Sequence, residues 1–349
     1  MYSAFSEMGV ITESNYLFRE YGIGIEKIGK TSEFLTKVNI DAEHKVIIVS
    51  NNPDYWIDIL NHLPDLKVFF ILIGNENYEP KPYNDLNLIR NLKHVFITLP
   101  PTEISRINLL GSVVGNFLDG GLRKTEKAGS LYREARIAMS LKNKFKHIDI
   151  KYDYSDLPLG YTNNFANKIS ILAEIPAADS LISNSSLEKI RTLRLHKHQF
   201  TFLGQDSGRR REVFLRSISK LKFVKVYPFE SGFGGNNTDS DFTYVELLLA
   251  SEFTLVPPGH LNSSNHRYTE SLICGSLPVI LACNSLDLTK RDHWTTELPF
   301  ITRYSARSLV NYLSQTDTST LVSLKVRAEE KDFAKIYKAR KNLKSVFSK

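Results

Sequence analysis

The sequence predicts an α/β protein made of two Rossmann-like domains. Short runs of β-branched and aromatic residues alternate with segments of helical pattern, which is typical of parallel, doubly wound sheets. The chain has 349 residues, too many for one compact core and suitable for two ordinary domains. A turn-rich segment at residues 155–161 separates the two halves. The predicted parts are residues 1–160, residues 161–325 and a basic C-terminal helix at residues 326–349.

The first half contains three predicted strands of the buried, parallel type. They cover residues 45–50, 67–73 and 94–99. A helix is predicted from residue 54 to residue 60, and residues 107–114 fit either a strand or a buried helix. Ligands of doubly wound sheets bind beyond the carboxyl ends of the strands. Asp54 and Glu76 follow strand ends and are therefore predicted near the working edge.

The second half is predicted to open with a strand at residues 169–174. Further predicted elements are a helix at residues 187–195 and strands at residues 199–203 and 223–227. Asp239 and Asp241 form an Asp-x-Asp pair directly before a predicted helix at residues 242–249. Their position favours helix capping over metal binding, so no metal site is predicted.

Two glycine-rich segments do not fit cofactor-binding loops. Gly22 and Gly24 are followed by the next glycine only at Gly29, which misses the spacing of the dinucleotide fingerprint, and no clear strand precedes them. Residues 232–235 lack the Lys-Ser/Thr pair of a P-loop. No cofactor of the NAD or ATP type is therefore predicted.

Residues 251–281 carry the most specific pattern, in the order strand, loop, helix, strand. A β-favouring run at residues 253–256 is stopped by two prolines and a glycine. Polar residues at 262–265 offer helix caps, and Gly275 is expected to end the helix before a buried strand at residues 277–281.

The chemistry of this segment points to a phosphate-bearing ligand. A helix N-terminus beyond a buried strand offers unpaired N–H groups and the positive end of the helix dipole. Arg267, in the first turn, adds a cation, and Glu270 is placed to accept hydrogen bonds from the two hydroxyls of a ribose. The alternative is an ordinary βαβ unit in which these two side chains form an exposed ion pair worth about 0.3 kcal/mol.

The same residues resemble the C-terminal signature of exostosin-like glycosyltransferases. The matching runs are S-E-F-T-L-V-P-P-G from Ser251, H-R-Y-T-E-S from His266 and C-G-S-L-P-V-I-L from Cys274. Ser276 stands where the family usually has cysteine. Residues 200–211, with a Gly-Gln turn and three arginines, also look like the opening of the family's nucleotide-binding half. The resemblance covers residues 198–300.

This resemblance implies a glycosyltransferase of the GT-B type, in which two Rossmann-like domains face each other across a cleft. It also implies an inverting, metal-independent reaction. The donor is expected to be a nucleotide sugar, most commonly linked to UDP, and the acceptor a hydroxyl of a glycan or glycolipid in polysaccharide or glycoconjugate synthesis. No other cofactor is expected. The predicted donor-binding residues are Gly204, Arg210, Pro258, Gly259, Asn265, His266, Arg267 and Glu270. Without a metal, Arg267, Arg210 and the helix dipole would stabilise the leaving diphosphate.

An inverting transfer also requires a general base that deprotonates the acceptor hydroxyl. Asp119, in a glycine-flanked turn at residues 118–121, is one candidate. Asp54 and Glu76 are the others, because both follow strand ends. For each of the three, a turn or capping role is favoured over a catalytic one.

The basic charge is concentrated at the C-terminus. The chain has a formal net charge of +7, and residues 325–349 contain nine Lys or Arg but three Asp or Glu. Apolar residues recur there at roughly helical spacing, which predicts a basic amphipathic helix. Such a helix can lie on an anionic membrane surface or a nucleic acid. The alternative is that its apolar stripe packs against the protein and its lysines are solvated.

A cytoplasmic location is predicted, with possible peripheral contact at the inner membrane face. The chain shows no secretory signal, and its apolar runs are too short for a membrane span. The two cysteines, Cys274 and Cys283, cannot form a disulfide scaffold and are expected to be buried thiols. A glycan on the sequon at Asn262 would obstruct the predicted phosphate loop, which disfavours a secretory compartment.

Two other functions remain open from the sequence. A non-catalytic nucleotide-sugar-binding protein would keep Arg267 and Glu270 but would lack a base. A DNA-modifying glucosyltransferase of the phage type would share the two-domain plan and use the basic tail on duplex phosphates. Nucleic acid is the less favoured partner, because the rest of the chain is nearly neutral.

Overall fold

A computed structural model describes most of the strands and helices of the chain. The described residues are 16–19, 45–63, 65–73, 79–98, 124–157, 160–176, 181–195, 197–205, 215–222, 224–229, 238–256, 266–281, 300–301, 307, 310–311 and 317–347. The protein is α/β, with two five-stranded sheets whose described pairings are all parallel. The chain divides into two compact units, each containing one sheet.

One unit comprises residues 8–103, 139–159 and 335–349. Its strands follow one another in sequence order across the sheet: β1 (Tyr16–Arg19), β2 (Lys45–Ser50), β3 (Lys67–Leu72), β4 (Leu92–Ile97) and β5 (Tyr154–Asp156). Helix α1 (Asp54–Asn61) connects β2 to β3, and helix α2 (Pro80–Asp85) continues into a 3-10 turn at Leu86–Leu88 before β4. A long helix, α3 (Lys124–Lys146), precedes β5.

The central strands β2 and β3 of the first sheet are buried on both faces. Successive residues of β2 from Val46 to Val49 are all buried, although their side chains alternate between the two faces. This continuous burial explains the run of β-branched residues that predicted the strand. On one face, Trp56 of α1 and Tyr83 of α2 are fully buried in the core beside β2 and β3.

The other unit comprises residues 1–7, 104–138 and 160–334. Helices α4 (Asn163–Leu172) and α5 (Asn184–Thr192) precede its sheet. Its further elements are β6 (His198–Gln205), β7 (Val224–Phe229), α6 (Thr238–Leu249), β8 (Ser251–Val256), α7 (His266–Ile273), β9 (Leu277–Leu281), β10 (Phe300–Ile301) and α8 (Thr318–Phe347). Helix α4 packs against α6.

The second sheet has a topological switch point. Its strands lie in the order β10-β9-β8-β6-β7, so β6 lies between its sequence neighbour β7 and the later strand β8. Numbered along this unit, the order is 2-1-3-4-5, a common doubly wound arrangement in which ligands bind where the strand order reverses. The carboxyl ends of β6 and β8 therefore flank the expected ligand crevice of this sheet.

The predicted segment at residues 251–281 is confirmed in its described parts as strand, helix and strand. Gly275 ends α7 with a φ of 71°, and the N–H groups of Gly275 and Ser276 donate to the carbonyls of Leu272 and Ser271. This closing turn favours glycine, because a Cβ is strained at positive φ.

Replacing Gly275 with alanine is expected to lower the free energy of unfolding by about 2 kcal/mol. Besides the strained φ, the new Cβ would meet Nη1 of Arg194 at 2.7 Å and Nζ of Lys325 at 3.3 Å. Urea unfolding measures the change. Gly129 of α3 is a matched control, since a Cβ there meets nothing within 4 Å, and Gly129→Ala should be neutral or stabilising. Equal effects of the two substitutions would contradict this account.

Two predicted secondary structures are wrong. Residues 169–174 do not begin a strand, because helix α4 extends to Leu172 and its buried positions Phe165, Ile169 and Ala173 recur every four residues. Residues 154–156, expected within a turn-rich region, form β5 and pair with β4. A short strand at a sheet edge carries too few residues for its period to be recognised in the sequence.

The surroundings of two other motifs also differ from expectation. Helix α6 begins at Thr238, so Asp239 and Asp241 lie in its first turn and are not residues that precede the helix. Strand β1 lies shortly before Gly22 and Gly24, where no strand was predicted. The glycine spacing still misses the dinucleotide fingerprint.

The C-terminal helix α8 is longer than predicted and packs part of its apolar stripe inside the protein. Phe333 and Ile336 are buried, whereas Tyr337 is 45% exposed. Of the two possibilities given by the sequence, packing of the apolar stripe against the protein is therefore the one observed for Phe333 and Ile336. Within the described residues, no helix combines the length and the apolar character needed to cross a membrane.

Candidate functional site

The candidate site lies at the switch point of the second sheet, where β6 and β8 end. Gly204 is the penultimate residue of β6 and is paired with Pro228 of β7. Helix α7 follows β8, with His266 as its first residue and Arg267 as its second. The predicted donor-binding residues Arg210, Pro258, Gly259 and Asn265 follow these two strands in the sequence and lie outside the described residues.

Arg267 is held between two aromatic rings. Its guanidinium carbon lies 5.1 Å from the ring centre of Phe202, on β6, and 5.7 Å from that of Tyr244, on α6. These distances suit cation–π contacts, and they fix a long side chain that would otherwise be mobile. Phe202 is fully buried, so the arginine is anchored to the sheet close to the carboxyl end of β6.

Glu270 lies one turn further along α7 and is 3% exposed. Its Oε1 accepts hydrogen bonds from the backbone N–H of Thr162 at 2.9 Å and from the hydroxyl of Thr162 at 2.8 Å. Its Oε2 accepts a hydrogen bond from the hydroxyl of Tyr244 at 2.7 Å. The exposed ion pair considered from the sequence is therefore not the observed arrangement, because this carboxylate is buried and hydrogen-bonded to two other helices.

Thr162 is the N-cap of α4, where its hydroxyl oxygen also accepts from the N–H of Phe165 at 3.2 Å. Glu270 thus places a negative charge at the positive end of the α4 dipole. Burial, and next the nearby Glu270 carboxylate, raises the pKa of Tyr244 well above its usual value. The tyrosine consequently stays a neutral hydrogen-bond donor at physiological pH.

The hydrogen bonds of Glu270 show how much of its carboxylate is already engaged. A carboxylate has about four acceptor positions, and three are occupied by Thr162 and Tyr244. Glu270 cannot accept hydrogen bonds from both hydroxyls of a ribose in this conformation. Its observed contacts join α7 to α4 and α6 and hold Tyr244 against Arg267.

His266 is half-buried at the start of α7, and its Nδ1 lies 3.3 Å from the carbonyl oxygen of Gly160. Because a carbonyl only accepts, Nδ1 carries the proton in this contact. Gly160 has a φ of 62°, a conformation that favours glycine. The Gly160-Tyr161-Thr162 segment thereby contacts α7 at two points, through His266 and Glu270.

None of the three candidate bases lies among the described residues of the unit that contains this site. Asp54 belongs to the other unit, where it is exposed in the first turn of α1 and pairs with Lys81 at 2.8 Å. Asp119 and Glu76 lie outside the described residues. In the described parts of the chain, no group of three or more His, Cys, Asp or Glu side chains could hold a metal ion.

Sequence reasoning missed three residues of this site: Phe202, Tyr244 and Thr162. Tyr244 and Thr162 are polar residues in helical segments, with no local pattern that assigns them to Glu270. Thr162 could have been recognised as a helix cap, because Phe165 and Ile169 follow at helical spacing.

No family model matches the chain, and no curated protein shows significant sequence similarity to it. The resemblance to exostosin-like glycosyltransferases therefore stays a prediction that rests on the residues quoted for it. The function is argued below from the site.

Proposed function

We propose that this protein is a glycosyltransferase that moves a sugar from a nucleotide-sugar donor to a hydroxyl of a glycan or related acceptor. The observation that carries the proposal is Arg267, anchored in the first turn of the helix that follows β8 at the switch point of the second sheet. A fixed guanidinium beside a helix N-terminus is suited to a diphosphate, because both supply positive charge and N–H donors.

The proposed arrangement of the two units is of the GT-B type, with the donor on the unit that contains α7 and the acceptor entering from the other. The donor is most simply a UDP-sugar, as the motif resemblance implies. We further propose that α8 contacts a membrane surface only through its basic side chains. Its apolar residues Phe333 and Ile336 are buried in the protein and cannot insert into the lipid.

The reaction follows from the charges. A base removes the proton of the acceptor hydroxyl, the oxygen attacks the anomeric carbon from the face opposite the diphosphate, and the bond from that carbon to the diphosphate oxygen breaks. Negative charge then grows on the leaving nucleoside diphosphate. Arg267 and the dipole of α7 would stabilise it, and a cation held in place by Phe202 and Tyr244 needs little reorganisation to do so.

The function is tested by binding followed by turnover. UDP or another nucleoside diphosphate should raise the melting temperature of the full chain in a saturable way, since a ligand of the folded state stabilises it by about 2.7 kcal/mol at a hundred times its Kd. The matching nucleotide sugar should then release nucleoside diphosphate when hydroxyl acceptors are added, with an unchanged rate in excess chelator.

Each failure has a distinct meaning. Nucleotide binding without turnover on any acceptor would favour the non-catalytic sugar-nucleotide binder. A strict requirement for manganese would contradict the metal-independent reaction. Absence of any nucleotide-dependent stabilisation would contradict the donor site itself.

A further inference from the structure

A second cluster of charged side chains lies at the opposite end of β8 from the candidate donor site. It consists of Arg191 and Arg194 at the end of α5, Glu252 at the start of β8, and Lys325 and Glu329 on α8. β8 has six residues, so the two sites are separated by about 17 Å along the strand. The cluster takes no part in the proposed transfer.

Arg194 forms the buried wall of this cluster. Its side chain is 7% exposed, and its Nη2 donates to the carbonyl oxygen of Ser251 at 3.0 Å and lies 3.4 Å from a carboxylate oxygen of Glu252. Its Nε is buried and has no hydrogen-bond partner within the described parts of the chain. A buried N–H group without an acceptor destabilises the folded state, unless a water molecule or a ligand accepts its hydrogen bond.

Lys325 lies beside this arginine. Both Nη1 of Arg194 and Nζ of Lys325 lie within 3.3 Å of the position that a Cβ of residue 275 would take. Among the described residues, no hydrogen bond or ion pair is found for Lys325, and the charged groups that most affect its pKa are Arg191, Arg194, Glu252 and Glu329. Burial, and next the charge of Arg194, lowers the pKa of Lys325 to about 8.

In the part of the chain that the structure describes, the cluster also contains one unsatisfied hydrogen-bond acceptor, Oε1 of Glu329. Glu329 pairs through Oε2 with Nη2 of Arg191 at 2.6 Å, whereas its Oε1 is buried with no hydrogen-bond partner among the described residues. Solvent reaches the cluster at the side chains of Arg191, 37% exposed, and Glu252, 43% exposed. The cluster therefore combines several unsatisfied donors with one unsatisfied acceptor on a side that is open to solution.

We propose that Arg194, Lys325 and Glu329 form a binding site for hydrogen phosphate or for the monoester end of a phosphorylated small molecule. Arg194 and Lys325 donate to the phosphate oxygens, and with Arg191 the cluster carries three positive charges against the two carboxylates of Glu252 and Glu329. Glu329 accepts, through Oε1, the hydrogen bond of the P–O–H group, which hydrogen phosphate carries and a monoester carries in its singly protonated form. Sulfate carries no proton at neutral pH, so it would meet Glu329 without a hydrogen bond and be rejected.

The test is isothermal titration calorimetry of the full chain with inorganic phosphate at pH 7 and constant ionic strength, with sulfate as the comparison. Phosphate is expected to bind saturably and at least tenfold more tightly than sulfate. Glycerol 3-phosphate, titrated in the same way, distinguishes a monoester site from one for free phosphate. Equal affinity for phosphate and sulfate, or no saturable binding of either phosphate compound, overturns the proposal.

Variants assign the binding to these side chains. Lys325→Met should reduce phosphate affinity at least tenfold, and it should not lower the melting temperature at pH 7, because it removes a charge that the folded state disfavours. Glu329→Gln should reduce the preference for phosphate over sulfate. Lys338→Met, an exposed lysine of the same helix, is the matched control and should bind as the wild type does. Unchanged affinity in Lys325→Met overturns the proposal, and the wild-type selectivity tests it without any variant.

Discussion

Replacing Arg267 with alanine is expected to weaken the binding of nucleoside diphosphate to the folded chain severely. If the diphosphate accepts charge-assisted hydrogen bonds from this guanidinium, their loss in a partly buried site costs about 3 kcal/mol, a reduction in affinity of about a hundredfold. Calorimetric titration with UDP measures the loss directly. The melting temperature, recorded in parallel, separates lost binding from lost folding.

Two further variants make the result specific. Arg267→Lys keeps the charge but loses the planar group that lies over Phe202 and Tyr244, so it should recover only part of the affinity. Arg327→Ala removes an exposed arginine of α8 in the same unit and should leave binding unchanged. If Arg267→Ala folds and binds UDP with wild-type affinity, the donor site is wrongly assigned.

The strands and helices around this site could be predicted where proline or glycine residues mark their ends. The two prolines after Val256 cannot continue a strand, which predicted where β8 ends, and Gly275 ends α7 as expected. The strand and helix between residues 251 and 281 could therefore be read directly from the sequence. The buried runs of β2 and β3 were equally clear, because parallel strands covered on both faces are apolar throughout.

Strand order and side-chain partners could not be read in this way, because they depend on contacts between distant residues. Nothing local to β6 indicates that it pairs with both β7 and β8, which is what creates the switch point. Thr162 is 108 residues from Glu270 in sequence. The sequence pattern placed Glu270 correctly on the helix with Arg267, but the hydrogen bonds to Thr162 and Tyr244 that occupy its carboxylate depend on how α4 and α6 pack.

Glu270→Ala is expected to lower the free energy of unfolding by about 4 kcal/mol. The substitution removes three hydrogen bonds, leaves the hydroxyl of Tyr244 and the N–H of Thr162 without their acceptor, and opens a cavity at a residue that is 3% exposed. Urea unfolding gives the value. Glu246→Ala, at an exposed position of α6, is the control and should change stability by less than about 0.5 kcal/mol.

A double-mutant cycle distinguishes the hydrogen bonds from simple loss of packing. Tyr244→Phe alone should cost about 2 kcal/mol, because it removes one donor from a buried carboxylate. In the Glu270→Ala background the same change should cost almost nothing or stabilise the protein, since the hydroxyl it removes is already without its acceptor. Equal costs in both backgrounds would mean that Tyr244 and Glu270 act independently. The carboxylate would then not be the link that positions the aromatic wall of Arg267.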